Sequence, residues 1–197
     1  GRVFPLGEES LIVEPRALPK HWALIGGLDL GYDHPTAGVR LAHDRDVDVV
    51  YVTATYRVKE QPPLIHATAL REWGNFPWAW PHDALKRDHS EGTLKSEYAR
   101  HGLNMLSERA EFDDGGSGVE AGLMILLERM MSGRFKVFSG LNDWLEEFRL
   151  YHRKDGLVVK AYDDLMDATR YAIMCLRFAE TPRDKAPWRK MEQNWVV

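Results

Sequence analysis

Apolar runs separated by polar links predict β-strands in the first third of the chain. The run Trp22–Leu30 is almost wholly apolar, which is typical of a buried strand. Thr36–Ala42 and Val47–Val58 follow it, and the second of these is rich in Val, Thr and Tyr. The charged link between them, HDRDVD, predicts a tight turn, so we expect these two strands to form a hairpin. A further short strand is predicted at Leu11–Val13.

Beyond these strands the apolar residues recur at helical spacing, interrupted by short extended pieces. Helices are predicted at Pro62–Trp73, Thr93–His101, Ser117–Met131, Leu141–Tyr151 and Asp163–Ala179. Short strands are predicted at Phe76–Pro81, Leu103–Leu106 and Phe135–Phe138. A hairpin followed by alternating helices and strands predicts an α/β fold, with a mixed central sheet covered by helices.

Composition narrows the classes of function. Lys and Arg total 26 while Asp and Glu total 30, and the resulting charge of −4 argues against a protein that binds nucleic acid through a large basic excess. The single cysteine, Cys175, excludes an internal disulfide, and its apolar surroundings predict an inert buried thiol. The chain has neither a P-loop motif for ATP nor histidines at zinc-binding spacing. No apolar stretch reaches membrane-spanning length, and the first residues do not show the basic-then-apolar pattern of a signal peptide. From the start at Gly1 we expect a fragment of a longer protein.

Three aspartates stand out because ordinary structural roles explain them incompletely. Asp29 lies in the apolar sequence GLDLGYD, where a buried carboxylate needs a cation or metal as partner, although capping of the next turn would explain it equally well. Asp83 closes another apolar run, WAWPHDAL, where a turn residue is the ordinary interpretation. Asp167 lies in the second turn of the last helix. The helix dipole accounts for Asp163 and Asp164 in the first turn but poorly for Asp167.

Together these positions predict one site. Asp29 and Asp83 follow strands, and the helix that carries Asp167 can pack across the ends of those strands. Carboxylate oxygens suit Mg²⁺ or Mn²⁺ better than zinc. Two such ions about 4 Å apart activate a water and stabilise the leaving oxygen of a phosphodiester.

Three segments carry a resemblance to a known family: GLDLGYDHPTAG, WPHDAL and DDLMDATRYAI. They resemble the nuclease domain of the large terminase subunit of tailed bacteriophages, most of all that of headful-packaging phages. The resemblance covers about residues 20–180 and is most specific in the first and last segments. It implies a ribonuclease H-like fold, in which a mixed central sheet is flanked by helices.

The resemblance also implies the site residues. The family's first-strand, fourth-strand and helical acids map to Asp29, Asp83 and Asp167. Asp163 and Asp164 fall where auxiliary metal ligands occur, and the sequence does not choose between them. The second acid is the least specific of the set, since Asp88 and Asp113–Asp114 compete with Asp83 for it.

The activity implied by the resemblance is that of a metal-dependent endonuclease. It would cut double-stranded DNA concatemers during viral genome packaging, by two-metal phosphodiester hydrolysis with Mg²⁺ or Mn²⁺. On this hypothesis Asp29 bridges both ions, while Asp83 and Asp167 each anchor one. The implied partners are an upstream ATPase domain of the same protein, a portal and a small terminase subunit, with no membrane. We expect the protein in the cytoplasm of the infected bacterial host and not in the mature virion.

Candidate DNA contacts are basic residues near the acidic motifs and in the segment HRKDG, which predicts a β-hairpin or loop. These candidates are Lys86, Arg87, Arg153 and Lys154. Each by itself is more typical of a solvated surface cation.

The domain prediction divides the chain into residues 1–20 as a lead-in from an upstream domain, 21–180 as the nuclease domain and 181–197 as a polar tail.

Two other functions stay open. One is a different ribonuclease H-like nuclease, such as a junction resolvase or a hydrolase of RNA–DNA hybrids. The other is a docking module for a portal or small subunit, with weak nuclease activity alone. Substrate preference separates the nucleases, and divalent-ion binding separates them from a docking module.

Overall fold

The computed structural model describes residues 1–86 and 92–183. Its strands are β1 (Ile12–Val13), β2 (Ala23–Asp29), β3 (Thr36–Asp44), β4 (Val49–Val58), β5 (Trp78–Ala79), β6 (Phe135–Phe138), β7 (Arg153–Lys154) and β8 (Leu157–Val158). Its helices are α1 (Pro63–Arg71), α2 (Leu94–Arg100), α3 (Val119–Met131), α4 (Asn142–Leu150) and α5 (Asp164–Met174).

A mixed sheet of six strands, in the order β1-β6-β4-β3-β2-β5, forms the centre of the domain. β2, β3 and β4 pair antiparallel, and β3 and β4 are joined by the predicted tight turn. β5 runs parallel to β2 on one side, and β6 runs parallel to β4 on the other. The predicted α/β class and mixed central sheet are therefore confirmed.

Helices cover both faces of this sheet. α5 lies against β2 and β3, with α3 and α4 beside it, and α1 packs with α2. Side chains alternate along β2: Ala23 and Ile25 belong to the core under α3, α4 and α5, while Leu24 and Leu28 belong to a second core that contains Trp78 and Leu70. This alternation places Asp29 on the face that α5 covers.

The short strand β5 is limited by its prolines. Pro77 and Pro81 flank it, and because proline has no backbone N–H to donate, pairing with β2 extends over only Trp78 and Ala79. The strand predicted at Leu103–Leu106 is reduced to one parallel bridge between Met105 and Trp78.

The last helix is shorter than the predicted Asp163–Ala179. α5 ends at Met174, and a 3-10 turn at Leu176–Phe178 follows it. Cys175 at this junction is buried, and burial raises the pKa of its thiol, as expected for an inert cysteine.

Residues 1–20, predicted as a lead-in, pack as part of the domain. Phe4 and Leu11 are fully buried, and β1 pairs in parallel with β6. Of the predicted tail, residues 184–197, with Trp188 and Trp195, lie outside the described residues. Within the described parts of the chain, no helix has the length and apolar character needed to cross a membrane.

Candidate metal centre

Asp29 owes its position beside α5 to a glycine two residues earlier. A Cβ on Gly27 would lie 2.0 Å from the carbonyl oxygen of Ala168 and 3.0 Å from Cβ of Ala172, both on α5. Only glycine therefore permits this approach of the helix to β2. Because Asp29 follows on the same face of the strand, the first two turns of α5 come to lie over the end of β2, where Asp29 is.

Asp29 meets two other ligand-bearing residues, His34 and Asp164. One ligand atom from each lies within 4.8 Å of the others. The loop after β2 is closed by Thr36, whose hydroxyl donates to the carbonyl of Gly31 at 2.8 Å. This closure brings His34 back towards α5, where its Nδ1 lies 3.1 Å from Oδ1 of Asp164. His34 was not among the predicted site residues, and the only sequence signal for it is its place five residues after Asp29.

Two basic side chains hold the remaining acids of this helix. Oδ1 of Asp167 accepts from Nη2 of Arg170 at 3.1 Å, and Oδ2 accepts from Nζ of Lys160 at 3.0 Å. Lys160 also lies 3.5 Å from Oδ2 of Asp163 in a looser ion pair. That Asp163 oxygen is buried and has no hydrogen-bond partner among the described residues. The predicted acids Asp29, Asp163, Asp164 and Asp167 thus gather at one place.

Electrostatics make this place suitable for a cation. Burial, and after it the charges of Asp167, Asp164 and Asp163, together raise the pKa of Asp29 to about 8. Burial and Asp167 also raise the pKa of Asp163. A divalent ion would remove this repulsion. Carboxylate oxygens, among them the Asp163 oxygen that accepts no hydrogen bond, and one imidazole nitrogen form a donor set that fits a divalent metal ion.

Comparison with known proteins identifies the family. Residues 26–176 match the family model described as the terminase RNaseH-like domain. The chain belongs to the terminase RNase H-like domain family. The large terminase subunit of Salmonella phage P22 is 42% identical to this terminase domain over 187 residues, or 93% of the chain. The chain spans only 38% of the length of that relative.

Solved structures agree with the assignment of this terminase domain. The nuclease domain of the P22 large terminase superposes with a TM-score of 0.86 at 41% identity, covering 92% of this chain and 95% of that one. The large terminase nuclease domain of bacteriophage SPP1, determined with bound Mn, has a TM-score of 0.55 at 20% identity. The match covers 82% of this chain and 93% of the SPP1 chain, and at this identity the likeness shows the fold alone. The resemblance to a large terminase nuclease domain is thereby confirmed.

Asp83 lies apart from the group formed by Asp29, His34 and Asp164. It belongs to the 3-10 turn His82–Leu85 that follows β5, and its carboxylate is two-thirds exposed and pairs with Lys86 at 3.1 Å. Asp83 lines a depression of about 210 Å³ together with Arg170 and Tyr171 of α5. Burial, and after it the charges of Asp167 and Asp29, raise the pKa of Tyr171, which lines the same depression as Asp83.

The predicted basic residues differ in their surroundings. The HRKDG segment does form a hairpin, β7–β8, with a two-residue turn in which Asp155 and Gly156 have positive φ of 52° and 80°. Arg153 is engaged by Glu120 of α3 through two hydrogen bonds of 2.7 Å, whereas Lys154 is exposed. Lys86 pairs with Asp83, and Arg87 lies outside the described residues.

One residue that the sequence did not indicate anchors the helix carrying the acids. Glu147 of α4 is fully buried, and its Oε2 accepts from the backbone N–H of Leu165 at 2.7 Å and of Met166 at 3.2 Å. These are N–H groups of the first turn of α5 that have no partner inside the helix. Arg57 of β4 donates to Oε1 at 2.9 Å. Burial raises the pKa of Glu147 to about 7 against these hydrogen bonds. In the sequence, WLEEF, this acid is not distinguished from its exposed neighbour Glu146.

Proposed function

We propose that this terminase domain is a divalent-metal-dependent endonuclease that cuts double-stranded DNA, as the nuclease part of a large terminase that processes genome concatemers in headful packaging. The observation that carries the proposal is the gathering of Asp29, Asp163, Asp164 and Asp167, with His34, at the end of β2. Family membership and the bound Mn of the SPP1 nuclease domain support it.

The residues of this chain would divide the work as follows. Asp29 and Asp164 would hold one ion and Asp163 and Asp167 a second, and Asp83 would contribute from the depression that it lines with Tyr171. Mg²⁺ or Mn²⁺ supplies activation of water and stabilises the charge that develops on the phosphate. Arg170, which is 3% exposed, orients Asp167, and His34 orients Asp164 through the 3.1 Å contact. Glu147 fixes the helix turn that presents these acids.

The partners proposed for this activity follow from the family and the length of the relative. We propose duplex DNA as the substrate, held in part by Lys86, Arg87 and Lys154, and an upstream ATPase domain in the same protein. A portal and a small terminase subunit, acting in the cytoplasm of an infected bacterium, complete the proposal.

The test is digestion of supercoiled plasmid by this chain with Mg²⁺, with Mn²⁺ or with EDTA. The wild type is compared with Asp29→Asn and with the control Asp155→Asn in the exposed hairpin turn. We expect cleavage that requires the metal, is lost in Asp29→Asn and is retained in the control. Full activity in Asp29→Asn would contradict the assignment. Faster cleavage of a four-way junction or an RNA–DNA hybrid than of plasmid would favour the other nucleases.

Calorimetric titration with Mn²⁺ separates the nuclease from a docking module. Metal binding without cleavage would mean that cleavage needs another part of the terminase. In that case the cleavage assay is repeated with the full-length protein. Absence of metal binding, with retained binding to a portal, would favour the docking module and refute the proposal.

A further inference from the structure

The acidic group is divided into two halves by its basic neighbours. Asp29 and Asp164 face His34 and, among the described residues, form no ion pair with a lysine or arginine. Asp163 and Asp167 instead face Lys160, which lies 3.5 and 3.0 Å from one oxygen of each. The two halves would therefore offer a divalent ion different local charge.

The two cations on Asp167 are unlike each other in burial. Arg170 is 3% exposed, and its stem packs so closely on α3 that a Cβ on Gly122 would lie 2.6 Å from its Cγ. Its guanidinium carbon lies 4.7 Å from the centre of the Tyr171 ring. Lys160 precedes α5 on the segment that follows β8, and its side chain is 58% exposed. Arg170 is thus a fixed part of the core, whereas Lys160 can turn away into solvent.

The hydrogen bonds assign one oxygen of Asp167 to each cation. Oδ1 accepts from the buried Arg170, and Oδ2 accepts from Lys160. Because Arg170 is fixed in the core, the oxygen of Asp167 that a divalent ion can take over from a cation is Oδ2, on which the Lys160 ammonium lies. A divalent ion and the Lys160 ammonium on the same carboxylate oxygen would repel each other strongly in this partly buried site.

We infer that Lys160 competes with a divalent ion for Asp163 and Asp167, and so makes the second of two metal sites the weaker one. The inference rests on the proposed function, since it concerns the same acidic group. It assigns to Lys160 the role of an internal counter-ion that stabilises Asp163 and Asp167 when a metal is not bound to them. Metal loading of the Asp29 half leaves Lys160 in place, while loading of the Asp167 half displaces it.

The experiment is calorimetric titration of Mn²⁺ into the wild type and into Lys160→Met, Lys160→Arg and the control Lys154→Met, an exposed lysine of β7. We expect two binding events in the wild type. Lys160→Met tightens the weaker event by about tenfold or more and changes the tighter one much less, since the lysine contacts Asp163 and Asp167 directly and acts on Asp29 only at a distance. Lys160→Arg, which keeps the charge, and Lys154→Met do not tighten it.

Thermal unfolding gives a second measurement and shows that each variant folds. In EDTA, Lys160→Met should melt below the wild type, because Asp163 and Asp167 lose a partner. Mn²⁺ should then raise its melting temperature by more than it raises that of the wild type. A weaker event that is unchanged or weakened in Lys160→Met, or equally tightened in Lys160→Arg, would overturn the inference and leave the proposed function standing. A wild type that binds no Mn²⁺ would overturn both.

Discussion

Replacement of Gly27 by alanine tests whether the close approach of α5 to β2 builds the metal centre. The added Cβ would lie 2.0 Å from the carbonyl oxygen of Ala168, whereas ordinary contacts of this kind begin at 3.4 Å. Backbone atoms on both sides leave no flexible side chain to give way. The helix therefore has to move outward by roughly 1.4 Å, and it carries Asp164 and Asp167 away from Asp29.

Gly27→Ala is expected to lower three quantities: the stability of the protein, its affinity for Mn²⁺ and its cleavage rate. Overpacking of a well-packed contact destabilises a protein by about 1–3 kcal/mol, which urea unfolding in EDTA would measure. Displacement of the acids should weaken Mn²⁺ binding by about tenfold or more. Cleavage should fall further, since a misplacement of about 1 Å costs roughly 100-fold in rate.

Gly118→Ala is the matched control. Gly118 precedes α3 with an ordinary φ of −62°, and a Cβ there would meet nothing within 4 Å. We expect its unfolding midpoint and its Mn²⁺ affinity to stay close to those of the wild type. The reasoning would be refuted if Gly27→Ala unfolded at the same urea concentration as this control and bound Mn²⁺ equally well.

Three further predictions concern single charged groups. In EDTA, Asp29→Asn should have a higher melting temperature than the wild type at pH 7–8 and the same melting temperature near pH 4. The reason is that the pKa of Asp29 is about 8 in the folded chain against an ordinary 3.8, so ionisation of this carboxyl opposes folding between these pH values. Equal melting temperatures of variant and wild type at both pH values would contradict this. Glu147→Ala should lower the free energy of unfolding, measured in urea, by about 3–5 kcal/mol, since Arg57 and two N–H groups of α5 lose a buried partner. The control Glu146→Ala removes an exposed carboxylate and should lower it by only about 0–1 kcal/mol. Similar losses in both variants would be evidence against the role of Glu147 in anchoring α5. Burial raises the pKa of Asp48, but hydrogen bonds from His43, Arg129 and Arg134 outweigh it and hold that pKa at about 2. Denaturant titrations should therefore show Asp48→Asn to be less stable than the wild type above pH 4, with a difference that vanishes as pH falls through 2. A difference in stability that persists below pH 2 would argue against this role of Asp48.

The elements of the fold were predictable wherever the signal lies in neighbouring residues. The runs that became β2, β3 and β4 were indicated by their apolar content, and the hairpin between β3 and β4 by its charged link. The α3 helix ends at Met131 as predicted, and the other helix termini differ from the prediction by one to five residues, because caps depend on local backbone geometry as well as on periodicity. The strand predicted at Leu103–Leu106 became a bridge, since β5 offers it little more than Trp78 as a partner.

The candidate site was predictable in part. Asp29 and the acids of α5 stood out because a charged residue beside apolar positions conflicts with burial. His34 and Glu147 did not, because each looks like an ordinary polar residue until another element is placed against it. The same applies to Lys160, whose neighbours in the chain do not indicate a buried partner.

The sequence by itself determined the α/β class, the order of strands and helices apart from the segment Leu103–Leu106, and the acids Asp29, Asp163, Asp164 and Asp167, because those depend on short-range patterns and on a motif. It did not separate Asp83 from these acids. Tertiary structure decided which groups meet. Gly27 lets α5 reach β2, a closed loop returns His34 to Asp164, and Lys160 comes to lie on Asp167. These contacts join elements far apart in the chain, so they depend on sheet register and helix packing rather than on local spacing.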